Sequence, residues 1–168
     1  MKNRNRIAAA IATVCVGLAL ANSAEAVDLR SWDMKINDVT KRFIVLSAFA
    51  SQAVLDKETQ LVWERSPNNA YTHFDYAHIV CLLNAKGGRK GWRLPTAAEL
   101  LSLQGTGALT LPDGHPFQNV SSNNYWTATS QPIFPSLAVT VNMKISDMDI
   151  ESKSSANGRV WCVRGHGE

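Results

Sequence analysis

The spacing of apolar positions changes along the chain, and each change predicts an element. Phe43-Ile-Val-Leu-Ser-Ala-Phe49 is β-branched and aromatic, the composition of a strand. Ala53-Val54-Leu55 and Leu61-Val62-Trp63 flank the polar Asp56-Lys-Glu-Thr-Gln60, which reads as a hairpin, and Ser66 to Ala70 as a loop. From Tyr71 the period lengthens. Phe74, Ala77, His78, Cys81 and Leu82 recur at helical spacing, one face of an amphipathic helix. Thr72 with Asp75 offers its cap, and Gly87-Gly88 suits a left-handed turn at its end.

A second helix opens within GWRLPTAAELLSL, residues Gly91 to Leu103. Thr96 and Glu99 form a capping box, in which each side chain satisfies the other residue's amide. Pro95 holds Leu94 extended, so Trp92 and Leu94 point the same way into a core. An irregular stretch from Thr106 to Asn124 follows, then β-prone Tyr125 to Thr129 and an alternating strand from Leu137 to Met143. Ser146 to Gly158 is polar, and Arg159 to Arg164 reads as one last strand. Helices grouped between runs of strands predict an α+β fold, not a doubly wound one.

The beginning of the chain has a different character. Lys2, Arg4 and Arg6 precede an apolar run from Ile7 to Leu20, and Ala24-Glu25-Ala26 supplies an A-x-A cleavage pattern. Residues 1–26 therefore read as a signal peptide cleaved near Ala26, with an apolar run short for a membrane span. Val14 before Cys15 is bulkier than a lipoprotein site accepts. The expectation is a periplasmic or secreted protein without a stable membrane span. A polar lead-in containing Trp32 and the first strand would occupy residues 27–52, and one domain would occupy 53–168. Of 17 basic and 14 acidic residues, Lys2, Arg4, Arg6 and Glu25 lie in the leader, so the rest is nearly neutral. That balance argues against nucleic acid as a partner.

Cys81 and Cys162 remain after the leader. In an oxidising compartment an even pair without CxxC spacing reads as a disulfide, and two separated cysteines make a poor zinc site.

Several phrases in order resemble one family. They are Val54-Leu-Asp-Lys-Glu-Thr-Gln-Leu-Val-Trp63, the helix around Ala77 and Cys81, Gly91-Trp-Arg-Leu-Pro-Thr96 with Glu99-Leu100, Leu111-Pro112, His115-Pro116-Phe117, Tyr125-Trp126 and Trp161-Cys-Val-Arg-Gly165. Together they resemble the Lcl C-terminal domain family, bacterial domains similar to the C-terminal domain of a collagen-like adhesin. The resemblance covers roughly Ala53 to Gly165. It implies a C-type-lectin-like fold with two small antiparallel sheets, two helices and long loops presenting a surface, and it implies a Cys81–Cys162 bridge. It also implies a surface or exported module without an agreed catalytic activity; the adhesin representative binds sulfated glycans. One departure is visible: the hairpin carries Gln60 where the family has glycine, which predicts a reshaped turn.

Each candidate site residue has a competing structural reading. Arg93 is a candidate for an anion or glycan sulfate, against a salt bridge with Glu99 or Glu64. His115 is a loop candidate without a serine, cysteine or carboxylate placed to work with it. His73 and His78 stand five apart, a poor helical metal pair. Asp147, Asp149 and Glu151 offer oxygens that suit calcium, yet their alternation with Met148 and Ile150 is that of a half-exposed strand. Asp113 reads as a turn residue. Gln131-Pro132-Ile133 lacks the third polar ligand by which C-type lectins hold calcium and sugar, so no cofactor or metal is expected. Trp63, Trp92, Trp126 and Trp161 sit beside apolar neighbours and read as core. Asn123, Asn124 and Tyr125 border the long loop as surface candidates. The resulting expectation is a non-catalytic module recognising extracellular polysaccharide or a surface protein. An envelope enzyme with a cleft near His115 and Arg93, or a structural partner in an envelope assembly, is the alternative.

Overall fold

The computed structural model describes residues 35–105, 110–145 and 147–165, so residues 1–26, expected as a signal peptide, and Trp32 lie outside the described residues. Helices α1 (Val39–Arg42), α2 (Phe74–Leu83) and α3 (Ala97–Ser102) accompany strands β1 (Phe43–Val45), β2 (Ala53–Asp56), β3 (Leu61–Glu64), β4 (Asn68–Thr72), β5 (Asn124–Ser130), β6 (Leu137–Asn142), β7 (Asp147–Ser152), β8 (Gly158–Val160) and β9 (Val163–Arg164). The strands form a four-stranded sheet, β1-β2-β3-β9, and a five-stranded sheet, β4-β8-β5-β6-β7. The fold is α+β with two small sheets, consistent with the C-type-lectin-like arrangement. Its second sheet is mixed, because β5 and β8 run parallel at Tyr125 and Arg159. No helix among the described residues is long and apolar enough to cross a membrane.

The β2–β3 hairpin forms where the alternation placed it, pairing Val54 with Trp63 and Asp56 with Leu61. Its turn does not avoid the conformation that glycine favours. Gln60 takes a φ of 61° itself, and its side-chain amide donates to the Lys57 carbonyl at 2.6 Å. Gln60→Gly is expected to raise unfolding free energy by about 0.5 kcal/mol, since relief of the left-handed strain exceeds one exposed hydrogen bond and glycine's added chain entropy. Paired urea denaturation curves measure this; an unchanged or lower midpoint contradicts it.

The predicted strand from Phe43 to Phe49 is shorter than its composition indicated. Pairing with β2 ends at Val45, opposite Val54. The chain then reverses through a 3-10 turn at Ser47–Phe49, with Ala50 and Ser51 at positive φ. Phe49 leaves the sheet to pack edge-on against Trp92. Asn68 to Ala70, which read as loop, and Tyr71 and Thr72, which read as the approach to a helix, together form strand β4 because β8 supplies its partner.

Two buried clusters hold the sheets. One gathers Trp63, Trp161, Tyr125, Phe117, Leu100 and neighbouring aliphatics. The Trp63–Trp161 and Phe117–Trp161 ring pairs, with centroids 5.6 and 5.2 Å apart, meet edge to face. The other gathers Phe74, Ala77, Cys81, Trp92, Leu94, Trp126 and Cys162. The four tryptophans expected in the core are all buried, and Trp92 and Leu94 share a cluster as Pro95 predicts.

The bridge joins Cys81 on α2 to Cys162. The run Arg159 to Arg164 is two strands rather than one. It breaks at Trp161-Cys162, passing from the five-stranded sheet at β8 to the four-stranded sheet at β9. Glu64, 4% exposed, receives this break. Its Oε2 accepts the Cys162 amide and its backbone carbonyl accepts the Trp161 indole. Its Oε1 meets Asn84 and Lys86 beyond the end of α2.

Helix α3 carries the predicted capping box. Helix α2 departs from prediction at its cap and on one face. Thr72 belongs to β4, and His73 is the N-cap, without a side-chain bond. Phe74, Ala77 and Cys81 are buried, but His78 and Leu82, placed inward by periodicity, face outward. The bridge fixes Cys81 inward, which narrows the buried strip to a single row. The helix ends at Asn84 in an extended conformation. The glycines turn left-handed afterwards, at Gly87 and Gly88.

Candidate functional site

An open cleft of about 380 Å3 is lined by Tyr71, Asn123, Asn124, Glu151, Ala156 and Asn157. It is assembled from three distant segments. Strand β4 supplies Tyr71, the entry to β5 supplies the asparagine pair, and β7 with the turn before β8 supplies the rest.

Local packing explains each position. The guanidinium of Arg159 stands 4.2 Å from the centre of the Tyr71 ring, and its Nε donates to the Asn69 carbonyl at 2.8 Å. That clamp orients Tyr71 while leaving it 52% exposed. Gly158 brings Asn157 into the cleft by crossing directly over Trp126, where a Cβ would lie 2.6 Å from the indole nitrogen. Trp126 is itself held by its indole hydrogen bond to the Thr72 carbonyl at 2.8 Å. Asn157 donates to Glu151 Oε2 at 2.9 Å. Asn124 accepts from Asn142 at 2.7 Å and donates to Asp149 at 3.2 Å, a polar row across three strands. Asn123 donates to the Ser121 hydroxyl at 2.6 Å.

The sequence candidates thus divide. Asn123 and Asn124 meet in the cleft. Tyr125, expected at the surface, is fully buried. Its hydroxyl accepts the Ser121 amide at 2.8 Å and donates to Asn69 at 3.4 Å. Burial pushes that phenol up to about 12. It therefore supports the loop from behind instead of presenting a ring to a ligand.

Arg93 and His115 are not among the walls of the cleft. Arg93 forms a two-pronged pair with Glu99, at 2.7 and 2.8 Å, and also donates to the Leu94 and Gly165 carbonyls. The Glu99 bond raises the guanidinium further. Burial pushes the Glu99 carboxyl up, but its bonds to Arg93 and the Thr96 amide outweigh this and hold it below the usual range. The structural reading of Arg93 is the one observed. His115 leans on Phe117, and its Nδ1 is buried without a hydrogen-bond partner. Burial lowers its pKa against the pull of Asp113. His78, though it faces outward, sits edge-on to Phe74, and partial desolvation lowers its pKa against the pull of Asp75.

Among the described residues no three His, Cys, Asp or Glu side chains converge as a metal site requires. Asp147, Asp149 and Glu151 do lie on a strand, though Met148 and Ile150 between them stay more than half exposed because β7 overhangs the core at a sheet edge. A second cavity of about 250 Å3 lies beside Arg42 and Glu58, whose charges pair with one another at 3.4 Å.

Sequence reasoning misses Tyr71 and Asn157 and weighs Glu151 only as a calcium oxygen on a half-exposed strand. Tyr71 reads as a helix approach, and Asn157 falls in a polar stretch. The one available signal was Gly158 after Asn157, a glycine inside a strand that marks close backbone approach.

Among curated proteins, none matches this chain. The family model described as the Lcl C-terminal domain matches residues 52–164, from the start of β2 through β9. The chain therefore belongs to the Lcl C-terminal domain family.

Proposed function

We propose that this chain is an exported, non-catalytic recognition module that binds extracellular glycan in the Tyr71–Asn157 cleft. The observation that carries the reading is the chemistry of the walls. One half-exposed aromatic ring stands beside three side-chain amides and one carboxylate. A sugar ring stacks its apolar face on an aromatic side chain, and its hydroxyls exchange hydrogen bonds with amides and carboxylates. The frame favours such a role, because the bridge, the buried tryptophans and the Arg159 clamp hold the walls before a ligand arrives. The export part of the proposal rests on the leader pattern in residues 1–26.

Isothermal titration against neutral, aminated and sulfated oligosaccharides tests the proposal. Tyr71→Ala and Asn157→Ala are each expected to weaken binding at least about tenfold, near the loss of one stacked ring or one paired hydrogen bond. Both positions are exposed, so the thermal midpoint should hold. Absence of binding to every sugar, or binding indifferent to both substitutions, overturns it.

A further inference from the structure

Helix α2 is apolar on two sides. Its inner side buries Phe74, Ala77 and Cys81, while its outer side exposes Tyr76 (58%), Ile79 (46%), Leu82 (71%) and Leu83 (73%). Tyr76, Ile79 and Leu83 repeat at i, i+3 and i+7, with Leu82 alongside, so they form one continuous stripe. A helix apolar all round is normally covered. We propose that this stripe is the contact surface of a reversible homodimer, in which α2 of two copies pack antiparallel about a two-fold axis beside Ile79.

Charge placement selects both the occupant and the orientation. Asp75, in the first turn, is the one charged residue within α2, and its last turn carries no basic residue. The segment after the helix holds Lys86, Arg89 and Lys90. Lys86 is paired with Glu64 at 3.1 Å, whereas Lys90 is exposed and Arg89, also exposed, has its guanidinium 5.8 Å from the Phe49 ring centre. Antiparallel pairing sets Asp75 of each copy near the basic segment of the other and opposes the two helix dipoles. It also places Tyr76 against the partner's Leu82 and Leu83. Parallel pairing would instead stack Asp75 on Asp75. A helix that lies on a membrane carries cationic residues along its polar face, and α2 carries none.

Area bounds the strength. Four such side chains expose on the order of 100 Å2 each, so a pair buries roughly 800 Å2, below stable specific interfaces and in the range of weak, transient ones. The dimer is accordingly weak, with a dissociation constant on the order of micromolar.

Sedimentation velocity of the chain as isolated from its producing cells, bridge intact, over about 1 to 200 µM tests this. The expected result is a mass rising from one copy to two. Leu83→Asp should weaken association at least tenfold while leaving circular dichroism and the thermal midpoint unchanged, since Leu83 is 73% exposed. In mixtures of Tyr76→Cys with Leu83→Cys, a short bis-maleimide should join unlike variants and leave Tyr76→Cys alone mostly uncrosslinked. A monomer at every concentration overturns the proposal, as does a dimer indifferent to Leu83→Asp or crosslinked through Tyr76→Cys alone. Co-sedimentation of a monomer with phosphatidylcholine or phosphatidylglycerol vesicles would overturn it in favour of a lipid surface.

Discussion

Replacing Cys81 and Cys162 together by alanine is expected to lower unfolding free energy by about 4 to 5 kcal/mol. The bridge closes a loop with a sequence separation of 81. Cutting it frees that loop in the unfolded chain, and the chain-entropy model converts the gain into the figure above. Both sulfurs are fully buried against Ala53, Ala77, Trp92 and Leu94. Alanine is the right replacement, because serine would add two buried hydroxyls to the loss. In a chain of this size the thermal midpoint should fall by roughly 8 to 20 °C. Burial makes a second expectation: thiol reductant alone should act slowly on the folded protein and quickly once denaturant opens it. Coincident denaturation curves for the bridged and alanine forms contradict the first expectation, and rapid reduction without denaturant contradicts the second.

Arg42→Ala ranks next, at about 3 to 5 kcal/mol. Arg42 is 5% exposed and Asp56 is fully buried. They meet through two parallel bonds, Nε to Oδ1 at 3.0 Å and Nη2 to Oδ2 at 2.9 Å. The same guanidinium donates to the carbonyls of Ser102, the last residue of α3, and Gln104 just beyond it and lies 4.6 Å from the Phe43 ring centre. One cation thus ties α1, the β2 end of the hairpin and the end of α3. Truncation strands a buried carboxylate and leaves helix-end carbonyls without a donor, so the cost exceeds the net worth of the pair. Arg42→Ala combined with Asp56→Ala should therefore cost less than the sum of the two single changes, by at least about 1 kcal/mol. Additive losses in that double-mutant cycle contradict the buried-pair account.

What could be read from the chain was what its neighbours in sequence decide. The Thr96–Glu99 capping box is a four-residue device, and it formed as written. The hairpin follows from alternation on either side of a short polar turn. Arg93 and Glu99 meet because the box fixes the glutamate beside the preceding loop. What escaped depends on distant partners. Asn-Asn-Ala-Tyr-Thr has no strand pattern and extends only because β8 pairs with it from about ninety residues away. Arg159 to Arg164 is uniformly β-prone, and nothing in that composition marks where one sheet yields to the other. Periodicity places Phe74, Ala77 and Cys81 inward, but with apolar residues on both sides of α2 it wrongly includes His78 and Leu82. The cleft was half legible: Asn123 and Asn124 bordered a long loop, but Tyr71, Glu151 and Asn157 join them only through tertiary pairing.

The long sequence distance between Glu64 and its partners Trp161 and Cys162 bears on the order of assembly. While a ribosome is still extending the polypeptide, the four-stranded sheet lacks an edge, Glu64 lacks its amide and indole donors, and Cys81 has no oxidation partner. A nascent product truncated near Ser152 would have nothing to lock. The two sheets are thus locked to one another by contacts between residues 97 and 98 positions apart, so the frame sets only when these non-local pairings close.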